Sequence, residues 1–371
     1  MRFPEFTDEW EKQKLSDFVE RVTRKNKNNE SKLPLTISAQ YGLVDQITFF
    51  NKVIASTDIS GYYLLKKGEF AYNKSYSGDY TWGAVKRLDR YEQGVLSTLY
   101  ICFSPLKFVI SDYLVHYFET KKWHREVSEI AVEGARNHGL LNIGVADYFN
   151  TKHFLPTKKE QKKIAVFLNL IEKRIALQTK IIEDLKTLKS ALYHLIFSTI
   201  DNEFTSLGKI ASIVKGTQIN RTELLDEGDY YVMNGGIQPS GYYDKYNVPA
   251  NTISISEGGN SCGYVQYNTS PFWSGGHCYT IQRIDSSIIT EFLYHYLKYK
   301  EPEIMKLRIG SGLPNIQKKD LECFPIVNIP LQEQKGIVEL FNMFETKEIN
   351  ESKILSLLQK QKSYLLGEMF I

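Results

Sequence analysis

Glu160-Gln-Lys-Lys-Ile164 returns as Glu333-Gln-Lys-Gly-Ile337, 173 residues further along the chain. The same spacing carries Asn142-Ile143 onto Asn315-Ile316, Asp147 onto Asp320, Asn169 onto Asn342, Lys180-Ile181 onto Lys353-Ile354, Lys189-Ser190 onto Lys362-Ser363 and Phe197 onto Phe370. A match held in phase over about 60 positions marks an internal duplication, and a duplication decides the fold before any single element does. Upstream the copies agree more loosely. Tyr113-Leu-Val-His-Tyr-Phe118 resembles Phe292-Leu-Tyr-His-Tyr-Leu297, and Lys14-Leu-Ser-Asp-Phe-Val19 resembles Ser206-Leu-Gly-Lys-Ile-Ala211. The order is module, helix, module, helix. Close repetition of the helices with loose repetition of the modules suggests one scaffold that holds two surfaces reading different things.

The helical parts carry the clearer physics. Thr157 to Phe197 contains no Gly or Pro, and apolar residues fall at Ile164, Leu168, Ile171, Ile175, Ile182, Leu185, Leu192 and Ile196. Steps of three and four make a seam of period 3.5, interrupted at Gln178 and Lys189. The second copy places Ile337, Phe341, Phe344, Leu355, Leu358, Leu365 and Met369 on its seam, interrupted at Glu348, Glu351 and Lys362. Each pattern predicts a helix of about 40 residues, roughly 60 Å long. Such a stripe needs cover, and two copies in one chain can cover each other. Each helix leaves one module for the next, so antiparallel pairing is the simple geometry: a rod with a module at each end. The competing expectation is that each helix lies flat on its own module.

The 371 residues are 42% hydrophobic and 24% charged, the composition of about two or three globular domains. No apolar run approaches the ~18 residues of a membrane span, and the first residues lack the apolar core of a signal peptide. Cys102, Cys262, Cys278 and Cys323 lie far apart with no CxxC pair, which excludes a zinc ribbon or disulfide scaffold by spacing and suits free thiols in the cytoplasm. The net charge of +3 is uneven. Residues 156–198 hold nine basic and four acidic side chains, whereas residues 199–328 hold 11 basic and 14 acidic. A uniformly basic nucleic-acid binder is excluded; a locally basic one is not.

Between the helices the sequence alternates as strands do, at Glu69–Asn73, Ala84–Leu88, Ser97–Phe103, Asn251–Ser256, Gly263–Tyr267 and His277–Ile281. The expected fold is α+β: two pseudo-repeated α/β modules at 1–155 and 199–328, joined by long helices at 156–198 and 329–371 paired as an antiparallel coiled coil. Loops rich in Tyr, Trp, Asn, Ser and Gly, such as Tyr72–Trp82 and Gly258–His277, combine flat contact area with hydrogen bonding. Such side chains suit base edges and phosphates, and equally suit sheet packing. On loop chemistry the DNA-contact candidates in the first module are Lys74, Tyr76, Tyr80, Trp82, Lys86 and Arg87. Those in the second are Asn234, Gln238, Tyr242, Lys245, Asn260, Tyr264 and His277, with Arg136 and Arg308 beside glycine turns as phosphate candidates. The chain contains no GxxxxGK[ST], no Asn/Asp-Pro-Pro-aromatic tetrad, no HExxH and no GxSxG. No catalytic constellation and no metal-ligand spacing emerges.

The whole chain resembles the specificity subunit of type I restriction–modification systems. The carriers are Trp10-Glu-Lys-Gln-Lys-Leu15 with its looser copy Leu207-Gly-Lys-Ile210, Pro156…Glu160-Gln161…Ile164 with Pro330…Glu333-Gln334…Ile337, and Pro271-Phe-Trp-Ser-Gly-Gly-His-Cys-Tyr279. The resemblance implies two target recognition domains, each reading one half of a bipartite, asymmetric site in double-stranded DNA. The helices set the spacer and dock two adenine methyltransferase subunits, and two motor-nuclease subunits can join. The chain itself is then non-catalytic and holds no cofactor, with S-adenosylmethionine, and ATP with Mg, on the partners. For docking, the helix seams and their starts at Glu160, Gln161, Glu333 and Gln334 are the candidates. These residues equally suit the positive end of a helix dipole. Two other readings compete: an enzyme with its own site, and a coiled-coil protein whose modules bind protein or sugar.

Overall fold

The structure is a computed structural model that describes every residue except 39–40, 53, 77–79, 132–140, 201–202, 311 and 313. Two helices of the predicted length are present, Lys158–Ser198 in the middle of the chain and Leu331–Met369 at its end. The chain divides into two compact units, 1–178 with 354–371 and 179–353. Each unit therefore takes half of each long helix. The sequence-based division at the helix starts separates what the packing joins.

In the first unit, strands Val19–Arg21, Ile101–Pro105, Phe70–Asn73 and Ala84–Arg87 form an antiparallel sheet in that order. In the second, Ser212–Lys215, Cys278–Gln282, Thr252–Ser256 and Val265–Asn268 form one in the matching order. The duplication is thus carried into topology. The third predicted strand of the first module starts at Ile101 because Ser97 captures Leu99 and Tyr100 in a turn. Each module closes on a pair joining its first and last strands, Glu11–Lys14 with Lys152–Leu155 and Phe204–Ser206 with Pro325–Val327. That closure starts each long helix beside its module's first strand.

The modules differ by what is inserted. The first adds two antiparallel strand pairs, Leu35–Ser38 with Gly42–Asp45 and Tyr63–Lys66 with Gln93–Leu96, over a small core shared with the sheet residues Ala71, Ala84 and Cys102. The second adds Tyr230–Met233, paired antiparallel to Tyr242–Tyr243 and parallel to Trp273–Ser274. These insertions explain why the sequence repeat fades inside the modules.

Both expectations for the long helices hold within each unit. In the first, Ile164, Leu168 and Ile171 belong to the module core, and so do Leu365 and Met369 from the other helix with Phe370 just beyond its end. In the second, Tyr193 stacks on Phe341 with centroids 4.2 Å apart, inside the core that also holds Phe292 and Leu297. The pairing is antiparallel, and its ion pairs exchange under the repeat. Lys362 bridges Glu172 (2.7 Å) and Glu119 (2.8 Å) in the first unit, and Lys189 meets Glu345 (3.1 Å) in the second. The polar interruptions Gln178 and Glu351 are buried, at positions where a seam fixes register.

Candidate nucleic-acid interface

In the first module the central strand Phe70–Asn73 is buried and Phe70 stacks on Phe103, so the sequence-selected residues lie at its end and on the edge strand. Lys86 and Tyr80 line a concave surface of about 500 Å³ with Lys121 and His124. Tyr76 is exposed. Lys74 donates to the Ile143 carbonyl at 3.3 Å, and Trp82 packs on the core while its carbonyl accepts from the Tyr72 hydroxyl. Arg87 is committed to the chain itself. It pairs with Asp89 (2.7 Å) and Asp112 (2.6 Å), Asp112 accepts from the Asn169 amide (3.0 Å), and Asn169 Oδ1 accepts from buried His116. Arg87 thereby ties the sheet edge to the long helix, a correction to its selection as a DNA contact. Arg136 lies outside the described residues.

A neighbouring recess of about 470 Å³ was not anticipated. Lys12, Lys121, Lys122, Arg125 and Lys152 line it, opposed by Glu126. These cations come from three separated segments, so the sequence does not show that they meet. Behind them His153 is buried between the Tyr117 hydroxyl (2.7 Å) and Thr151 (2.8 Å), and burial lowers its pKa to about 4.

In the second module the selected residues separate into two groups. Tyr264 is engaged internally, with Lys298 Nζ 4.0 Å from its ring centre and its hydroxyl pKa raised by burial. Tyr242 is half-buried on a paired strand. Gln238, Lys245, Asn260 and Arg308 are exposed. Asn234 and His277 meet at a cleft of about 520 Å³, lined also by Lys215, Glu257 and Asn315. The strand Thr252–Ser256 ends there, and alternation puts Glu257 on the face of Ile253 and Ile255. An acid on that face requires partners. Its Oε1 accepts from Lys215 Nζ at 2.6 Å and from the Tyr279 hydroxyl at 3.1 Å. Burial, followed by the Glu257 charge, pushes the Tyr279 pKa up to about 12, so the hydroxyl remains a donor. Gly275 allows the close approach here, since a Cβ on it would stand 2.6 Å from Asn234 Oδ1. Lys215 and Glu257 were missed because Lys215 ends a strand and Glu257 directly follows one, outside the aromatic and polar loops. Strand parity was the signal available.

The helix starts are structural. Gln161 accepts from the Ile110 amide (2.9 Å) and donates to the Pro156 carbonyl (2.9 Å). Gln334 does the same with Ile289 (2.8 Å) and Ile329 (2.8 Å). Glu160 is buried against a bidentate Arg2 at 2.7 and 2.8 Å, whereas Glu333 is exposed. Buried side chains spent on their own module cannot form a docking surface, so this expectation is corrected for Glu160, Gln161 and Gln334. Exposed apolar side chains on the helices lie elsewhere. Val166, Leu170 and Leu177 share one helical face in the first unit, while Leu188, Leu195 and Met343 are exposed in the second. Among the described residues His116, Glu119 and Glu172 are close enough to hold a metal, but the Lys362 ammonium already bridges both carboxylates. No helix among the described residues is long and apolar enough to cross a membrane.

Comparison with known proteins agrees with this geometry. Residues 199–360 match the family model described as the type I restriction modification DNA specificity domain. A Mycoplasma pneumoniae protein named as a type I specificity subunit is 30% identical over 44% of this chain and 44% of its own length. The chain thus spans under half the length of that relative, and 43% of a similarly named Mycoplasma genitalium protein. A Methanocaldococcus jannaschii protein named as a type I restriction enzyme specificity subunit is 24% identical over 90% of this chain and 86% of its own length. The solved structure of a type I restriction–modification S subunit from M. genitalium matches with a TM-score of 0.63 at 19% identity, covering 100% of this chain and 99% of that chain.

Proposed function

Because the chain belongs to the family of type I restriction–modification specificity subunits, we propose that it is the DNA-reading subunit of such a complex and does no chemistry itself. Each module reads one half of a bipartite site in double-stranded DNA. Since the two modules carry different insertions, the halves differ and the site is asymmetric. The carrying observation is the duplicated sheet, repeated strand for strand, with unlike polar surfaces built on each copy. The basic recess of the first module suits phosphate, which positions a reader without specifying sequence.

The long helices set the distance between the halves. Their exposed apolar faces, at Leu170 and Leu177 in one unit and Leu188 and Met343 in the other, dock two adenine methyltransferase subunits. S-adenosylmethionine binds those partners, and ATP with Mg binds two motor-nuclease subunits where the system cuts DNA. The test is adenine-methylation mapping in cells that carry the chain with its methyltransferase partner, against cells lacking the chain. A split motif that needs the chain, and of which one half changes when residues 199–328 are exchanged, is the expected result. A stable complex without any chain-dependent motif would overturn the reading.

A further inference from the structure

Among the described residues, the cleft of the second module offers unspent donors on Asn234 and Lys215, while Asn234 Oδ1 and Glu257 Oε1 are already engaged as acceptors. Asn234 Oδ1 accepts from the His277 backbone amide at 3.1 Å. A backbone N–H can only donate, so the carboxamide is oriented and its NH₂ group is the free end. Lys215 spends one of three N–H bonds on Glu257 and is 52% exposed. Glu257 Oε1 already takes Lys215 and Tyr279, and its Oε2 is buried 3.6 Å from His277 Nδ1. Two of the lining carbonyls are occupied as well. Gly235 accepts from the Ser256 hydroxyl (2.7 Å) and Pro314 from the Gly259 amide (3.0 Å).

A donor wall selects a ligand edge made of acceptors. In DNA that means the guanine N7 and O6 pair or a phosphate. The charge distinguishes them. Lys215 is neutralised by Glu257 at 2.6 Å, so the cleft offers an anion no net attraction and sets a carboxylate beside it. A neutral acceptor edge meets no such repulsion. Adenine and cytosine each bring an amino donor to the major groove. The Asn234 oxygen that would accept an adenine N6 amine already accepts from the His277 amide, so the NH₂ group is the end left wholly free.

Resting on the DNA-reading function above, we propose that this cleft reads a guanine in the half-site of the second module. Asn234 and Lys215 donate to its major-groove edge, and Glu257 is a positioning residue that aims Lys215. The test is methylation mapping with the full chain and its methyltransferase partner, comparing wild type, Asn234→Asp and Lys215→Met. Aspartate keeps an acceptor for the His277 amide but replaces the free NH₂ with an acceptor, so Asn234→Asp preserves the turn. The expected wild-type motif has a guanine in the half that moves with residues 199–328. Both variants relax that one position by about tenfold or more and leave the remaining positions of both halves unchanged, which also shows that the second module folds. A wild-type half without a guanine overturns the inference. So do variants that retain the guanine, and variants that depress methylation equally at all sites with a shallower salt dependence, the signature of a phosphate contact. Absence of any chain-dependent motif in wild type instead overturns the DNA-reading function itself, which separates the two failures.

Discussion

Gln161→Ala separates a clamp from a docking contact. The side chain is 1% exposed and joins the Ile110 amide to the Pro156 carbonyl, both at 2.9 Å. Alanine leaves a buried donor and a buried acceptor without partners, at about 1–3 kcal/mol each, so the total is roughly 2–6 kcal/mol. For a unit of this size that lowers its melting transition by roughly 5–15 °C. Gln334→Ala loses an additional donation to the Ser287 carbonyl at 2.8 Å, so its effect on the second unit is at least as large. The assay is thermal unfolding by circular dichroism beside capture of the methyltransferase subunit well below the transition. The expected outcome is a lower melting temperature with capture retained at low temperature. A melting temperature within about 1 °C of wild type, together with lost capture, would refute the clamp and restore the docking role, since an unsatisfied buried pair cannot be that cheap.

Three further outcomes follow from the same geometry. Lys362→Met leaves Glu119 and Glu172 facing each other and should cost about 1–2 kcal/mol, discounted for their partial exposure; Lys362→Met with Glu119→Gln and Glu172→Gln recovers most of it in the same melts. Burial lowers the pKa of His153 to about 4 and that of His295 to about 3. Both are depressed below the unfolded value of about 6.5, so their contribution is complete above that pH and is lost as the pH falls through the folded values. Acid titration should therefore show stability falling below about pH 6.5, and His153→Gln should flatten the upper part of that fall. Lys122→Gln with Lys152→Gln should reduce the slope of log K against log salt for DNA binding by the assembled complex by up to about 2, without changing the methylated motif; a changed motif would mean that the recess reads bases.

The long-range plan was legible because it rests on periodicity. The seam residues Ile164, Leu168, Phe341 and Leu365 are buried where the heptad pattern puts them, and the offset of the repeat carries Glu172 and Lys362 onto Glu345 and Lys189 as partners exchanged. Recognition surfaces carry no such period. Arg87 and Lys86 are neighbours on one strand, yet Arg87 is held by Asp89 and Asp112 while Lys86 lines a recess. Choosing between them requires the position of Asp112, which arrives from another element. The basic recess was hidden for the same reason, being assembled from Lys12, Lys121 and Lys152.

The duplication also explains why the two halves of the molecule can diverge safely. Several contacts that fix the scaffold are present twice: the Gln161 and Gln334 clamps, the buried His116 and His295, and the exchanged lysine–glutamate pairs. What differs includes the insertions and the exposed side chains that these contacts do not use. The first module surrounds its recess with five cations, whereas the second neutralises Lys215 with a buried acid and keeps its donors for a neutral edge. A scaffold satisfied by its own internal bonds leaves those surface choices free to change one half at a time, which is the property a reader of two unlike half-sites requires.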